Sequence, residues 1–126
     1  MIRTVLIAAS ALLAACQSVE PAVPSPGDQT CDIEVSFGSF ASGPDQALKT
    51  RIDTFLSGNW LVLNVTETRW GREGESSLCV KAVDAAGTDE LYRTLAGWIP
   101  DTSRTAPTTV RHRDGRTRTA QWAGPQ

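Results

Sequence analysis

Histidine, methionine and tyrosine each occur once in these 126 residues, and cysteine three times. The single histidine, His112, has no second imidazole with which to share a metal ion, and Cys31 and Cys79 lack metal-site spacing. The cysteines of an iron–sulfur cluster are missing as well. His112 lies among arginines, far from any predicted nucleophile, so nucleophilic catalysis is not expected. Long hydrophobic runs are also missing. The most apolar stretch, "VLIAASALLAA", is eleven residues, too short for a hydrocarbon core that needs about twenty. The loop "GSFASGPD" has neither the lysine nor the spacing of a nucleotide-binding loop and reads as a turn and a cap. No cofactor, no metal and no catalytic residue is expected.

What the first residues do contain is an export signal: Arg3 as the only charge, the short apolar run, then small residues. Within it, Leu13-Ala14-Ala15-Cys16 resembles the lipobox of bacterial lipoproteins, with an ordinary secretory signal as the alternative. The resemblance covers residues 1–16. It implies cleavage of residues 1–15, a diacylglyceryl group on the Cys16 thiol and an acylated amino group. Several acyl chains hold a protein durably where one holds it marginally. Gln17 stands where lipoproteins retained in the inner membrane carry Asp, which implies the outer membrane, with the inner membrane as the alternative. Residues 17–30, "QSVEPAVPSPGDQT", hold three prolines and no periodic apolar pattern. They read as an extended tether that spans some 40 Å at about 3.1 Å per residue.

Removing residues 1–15 leaves 111, enough for one small domain, 31–126. Its charge is uneven. Residues 16–100 hold 6 Lys/Arg against 12 Asp/Glu, whereas residues 101–126 hold 5 Arg and 2 Asp. The export signal and the acidic body argue against nucleic acid as a partner. In an oxidising compartment Cys31 and Cys79 are expected to pair. Such a loop contributes about 4 kcal/mol by chain entropy. Cys31 shares the buried parity of Ile33, Val35 and Phe37, whereas Cys79 misses that of Leu78, Val80 and Ala82. The bond therefore needs Cys31 to precede the regular pleat, or a bulge near Cys79.

Alternation in "CDIEVSF" predicts a strand over 32–37. Ser42 is the expected cap of a first helix, with Asp45 at capping-box spacing. Leu48, Ile52, Phe55 and Leu56 form its apolar stripe, and Gly58 ends it. "WLVLNVTE" and "SLCVKAV" read as strands around the turn "WGREGE". A second helix, capped by Thr88, carries Leu91, Leu95, Trp98 and Ile99 up to Pro100. "TTVRHR" and "RTRTAQW" then form a hairpin about Asp114-Gly115. The class is α+β, with an antiparallel sheet and two helices on one face. The order is β-α-β-β-α-β with an added strand, which matches the ferredoxin-like split βαβ arrangement. That arrangement hosts many unrelated activities and names none of them.

Two stretches are candidate sites. A two-residue hairpin loop sets Arg113 opposite Arg116 and Arg111 opposite Arg118, all on one face, with Val110, His112, Thr117 and Thr119 on the other. Like charges in register repel, so the cluster points to an anionic envelope component, or to charge that guards an exposed edge. The second is "RWGREGE", which presents Trp70, Arg72, Glu73 and Glu75 at a hairpin tip. Aromatics are enriched at interfaces, which makes Trp70, Arg72 and Glu73 a candidate partner loop. Glu73 and Glu75 are two residues apart, but nothing in the sequence suggests the cleft that hydrolysis between two carboxylates needs. The expected function is a lipid-anchored, non-catalytic periplasmic module that binds an anionic component or a partner protein. The alternative is an inhibitor or immunity protein against an envelope hydrolase.

Overall fold

A computed structural model describes residues 30–124. The leader, the Leu13–Cys16 tetrad, Gln17 and most of the tether lie outside the described residues. Ile33, Val35 and Phe37 alternate with Glu34 and Ser36, and that period of two lays the three apolar side chains on one face of β1 (Ile33–Phe37). Helix α1 (Gln46–Ser57) follows, then β2 (Val62–Arg69), β3 (Ser76–Ala82) and α2 (Ala85–Trp98). The chain continues through β4 (Thr102–Ser103), β5 (Thr108–His112), β6 (Thr117–Thr119) and β7 (Gln121–Trp122). Five strands form one antiparallel sheet in the order β2-β3-β1-β5-β6. The first four reproduce the ferredoxin-like order, and β6 extends it. The fold is α+β, as the sequence predicts.

The core lies between this sheet and the two helices. Ile33, Val35 and Phe37 meet Leu78, Val80 and Val110 from neighbouring strands, with Ile52 and Leu56 of α1 and Leu91 and Leu95 of α2 above them. Phe55 packs edge-on against Trp98, with ring centroids 4.9 Å apart, and joins the two helices.

Both helix starts differ from the sequence expectation. The cap of α1 is Asp45, whose Oδ1 accepts the Leu48 N–H at 3.0 Å. Pro44 explains the shift, because the residue before a proline avoids helical backbone, so no helix can run through Gly43. Ser42 bonds the Thr105 carbonyl instead, at 3.5 Å. The cap of α2 is Asp84, accepting from Gly87 N–H at 2.6 Å. Thr88 is buried in the first turn and donates its hydroxyl back to the Asp84 carbonyl, the usual use of a threonine inside a helix.

Cys31 and Cys79 are bonded, with Cα atoms 5.2 Å apart. The parity conflict is resolved at Cys31, which precedes the pleat of β1. Asp32 fixes this lead-in: its N–H donates to the Val80 carbonyl at 3.0 Å and its Oδ2 accepts the Ala82 N–H at 2.9 Å. Register between β1 and β3 is unbroken from Ile33 to Phe37, so no bulge at Cys79 is needed. The last predicted strand is broken at Ala120, whose N–H bonds the Thr108 carbonyl. Beyond it the chain leaves the main sheet and pairs β7 with β4 in parallel.

Candidate functional site

The arginine hairpin closes with one residue more in its loop than the sequence suggests. His112 N–H donates to the Arg116 carbonyl at 2.8 Å, and Gly115 N–H to the His112 carbonyl at 2.9 Å. The loop is therefore Arg113-Asp114-Gly115, with Gly115 at φ +100°, the left-handed position that three-residue hairpins reserve for glycine. The register becomes Val110 opposite Arg118 and Arg111 opposite Thr117. A slip of one residue moves a strand's side chains to the other face, and it dismantles the expected four-arginine face. Arg116 and Arg118 share the helix-side face with Val110 and His112. Arg111 stays on the open face with Thr117, and Arg113 sits in the loop. Burial of Val110 and His112 against α2 requires this pairing.

Three of the four arginines then pair with an acid of the same domain. Arg113 Nη1 is 3.1 Å from Asp32 Oδ1, and Arg118 bonds Asp101. Arg116 bridges Asp89 at 2.6 Å and Asp114 at 2.8 Å, with its guanidinium 5.0 Å from the Tyr92 ring centroid. Arg111 lies across from Glu34 on β1. The like-charge stacking that called for an external anion is absent.

His112 completes this network. It is buried, its Nε2 is 2.9 Å from Asp89 Oδ1, and its Nδ1 accepts the Asp114 N–H at 3.0 Å. Tyr92 packs edge-on against the ring at 5.4 Å. The Arg116 guanidinium, with His112 behind it, holds the Asp89 carboxyl below its usual pKa. Asp114 is held low chiefly by the Arg116 backbone N–H. For Asp32, burial pushes upward, but the Ala82 N–H, Arg113 and Lys81 outweigh it and the net shift is down. These groups tie α2, the hairpin and the chain's lead-in together, which is structural work.

The opposite end of the sheet is built differently. Arg69, Ser76, Phe37 and Thr108 lie side by side across β2, β3, β1 and β5, and three loops gather beyond them. The β1–α1 loop, residues 38–45, lies between the β2–β3 turn and the segment around β4 and β7. On one side Ser39 donates its hydroxyl to Glu73, and its Oγ accepts the Gly43 N–H at 2.9 Å. On the other, Ser42 bonds Thr105, and Phe40 packs against Trp122 with centroids 5.5 Å apart. Ala41, between them, is the only non-glycine at positive φ among the described residues, +77°. Such backbone is costly for a residue with a Cβ; Phe40, next to it, is exposed and lies against Trp122.

The β2–β3 turn is stiffened from within. Trp70 N–H donates to the Glu75 carbonyl at 2.9 Å, and Glu75 Oε2 accepts the Glu73 N–H at 2.8 Å. Gly71, at φ +70°, leaves the space that the Glu75 carboxylate fills. Trp70 lies half exposed, its Nε1–H donating to Ser77 Oγ at 3.0 Å. Both carboxylates are occupied by donors of the domain itself, and Arg72 projects without an ion pair among the described residues. Trp70, Arg72 and Glu73 all lie in this turn between β2 and β3. Phe40 and Trp122, which pack against each other beyond the same end of the sheet, are not among the sequence candidates. A large aromatic inside the turn-rich "GSFASGPD" is the signal that could have found Phe40.

No family model matches the chain, and no curated protein or solved structure matches it either.

Proposed function

We propose that the protein is a non-catalytic binding module of the bacterial envelope, anchored through lipid on Cys16 at the periplasmic side of the outer membrane, which docks a partner protein on its three-loop end. One observation carries the docking surface: Phe40, Trp70 and Trp122 are all substantially exposed at the end of the sheet where Ser39 bonds Glu73 and Phe40 packs against Trp122. Monomeric surfaces rarely expose aromatics in company, and interfaces are enriched in them. The surface also lies a strand's length from Thr30, where the tether joins, so it faces away from the anchor. The anchor itself rests on the lipobox resemblance.

An anionic envelope component held by Arg111, Arg113, Arg116 and Arg118 has less support, because the four do not share a face and three of them are already paired with acids. A protein inhibitor or immunity protein uses the same three-loop surface, with an envelope hydrolase as the partner.

Site-specific photo-crosslinking in cells tests the reading. A photoreactive residue at position 40, 70 or 122 is expected to give one shared adduct, and one at Arg111 or Thr117 none. Adducts from the hairpin positions alone contradict it.

A further inference from the structure

The end of the domain where the chain arrives from the tether carries the other exposed apolar side chains. Trp60 is 80 % exposed, Leu63 68 %, and Val83 joins them. Each exposure has a local cause. Asn59 folds the chain back: its Oδ1 accepts the Leu61 N–H at 2.9 Å and its carbonyl the Val62 N–H at 3.1 Å. This turn drives Leu61 into the core and leaves Trp60 at its tip. Leu63 falls at a register shift between Val62 and Asn64, where β2, the free edge of the sheet, bulges away from β3. Val83 follows β3, its N–H bonded to the Leu61 carbonyl at 2.9 Å.

The tether reaches the same place. Thr30 Oγ1 accepts from Lys81 Nζ at 3.2 Å, Cys31 is bonded to Cys79, and Asp32 holds the Ala82 N–H. Lys81 and Ala82 are the residues paired with Asn64 and Val62, so Leu63 lies on the rungs beside the tether's point of attachment. Only fourteen residues separate Cys16 from Cys31.

We propose that Trp60, Leu63 and Val83 lie in the headgroup region of the bilayer in which Cys16 is anchored, so that the domain rests on the membrane with its three-loop end outward. This rests on the lipoprotein reading above. Tryptophan favours this depth, where its ring is buried and its N–H stays wet. The charges here are mixed: Lys81, Arg113 and Arg116 stand against Asp32, Asp84, Asp89 and Asp114. The contact is therefore apolar and needs neither anionic lipid nor low salt. The anchor supplies proximity, and a small patch suffices to set orientation.

The full chain, expressed with its leader and extracted from bacterial membranes, is the test material, and its intact mass reports acylation of Cys16. The acylated protein is reconstituted into phosphatidylcholine vesicles carrying lipid brominated near the headgroup, and its tryptophan emission is recorded. The expected result is quenching that persists at high salt, is lost in Trp60→Phe and is kept in Trp122→Phe. Acylated protein whose quenching is unchanged by Trp60→Phe, or lost in Trp122→Phe, overturns the orientation while leaving the anchor intact. Sedimentation of the acylated protein in detergent as a dimer that Trp60→Phe dissociates overturns it in favour of a second copy as the occupant. Protein with no acyl group on Cys16 overturns the anchor reading, and the membrane contact with it.

Discussion

Asp89 is the residue on which the hairpin depends most. It accepts from both His112 and Arg116, and among the described residues no other carboxylate reaches His112 Nε2. Asp89→Ala leaves a buried ring nitrogen unpaired. It is expected to cost about 1–3 kcal/mol in urea unfolding, the penalty of an unmet buried polar group. Asp89→Asn, which keeps an acceptor, is expected to cost less. Ala41 gives the opposite case. Its left-handed backbone is paid for by the rest of the loop, so Ala41→Gly is expected to stabilise the domain by up to about 1 kcal/mol in the same assay, less the extra freedom glycine gains when unfolded. Neither Asp89 nor Ala41 stands out in the sequence. The first pairs across 23 positions, and the second sits in a loop whose Ser39 bonds Glu73, 34 positions away.

Elements were more legible than their pairing. The alternation of Ile33, Val35 and Phe37, the stripe of Leu48, Ile52 and Leu56, and the run from Leu91 to Ile99 identify β1, α1 and α2, because burial imposes periods that survive any tertiary detail. The strand order follows from connecting them. What the sequence could not settle is the hairpin loop. Asp114-Gly115 fits a two-residue loop and also the end of a three-residue one, and the choice rests on which residues of β5 face α2. That single ambiguity converts a four-arginine face into four arginines with acidic neighbours. Gly115→Ala tests it: a residue with a Cβ at φ +100° is strained, and a loss of about 1–2 kcal/mol is expected. In a two-residue type I′ loop Asp114 would share that strain. Here backbone coupling constants are expected to put Gly115 alone, and not Asp114, at positive φ.

On the scale of the whole molecule, acid-base pairs reinforce at the surface the joins that the core makes inside. Asp32 ties the lead-in to the hairpin, Asp89 ties α2 to it, and Lys49 links α1 to Glu67 on β2 at 3.2 Å. Asp32, Asp89 and Asp114 are held below the ordinary 3.8, and Glu67, beside Lys49, below 4.5. Carboxylates with depressed folded pKa values release fewer protons on unfolding than they take up, so their contribution is complete above the unfolded values and is lost as pH falls through the folded ones. Urea midpoints are therefore expected to be level near neutrality and to fall below about pH 4, with the Asp89→Asn variant falling less. The six exposed large hydrophobics among the described residues divide between two ends, Trp60, Leu63 and Val83 by the tether, Phe40, Trp70 and Trp122 beyond the far rung. That division is the basis on which recognition is proposed for the far end, while the hairpin arginines serve contacts within the domain. The most direct measurement compares two variants of the full chain, Phe40→Ser with Trp122→Ser, and Arg111→Gln with Arg113→Gln, for partner adduct at position 70 and for melting temperature. The expected result is loss of the adduct in the first with melting unchanged, and retention in the second. Loss of the adduct in the arginine variant, with the aromatic variant unaffected, contradicts it.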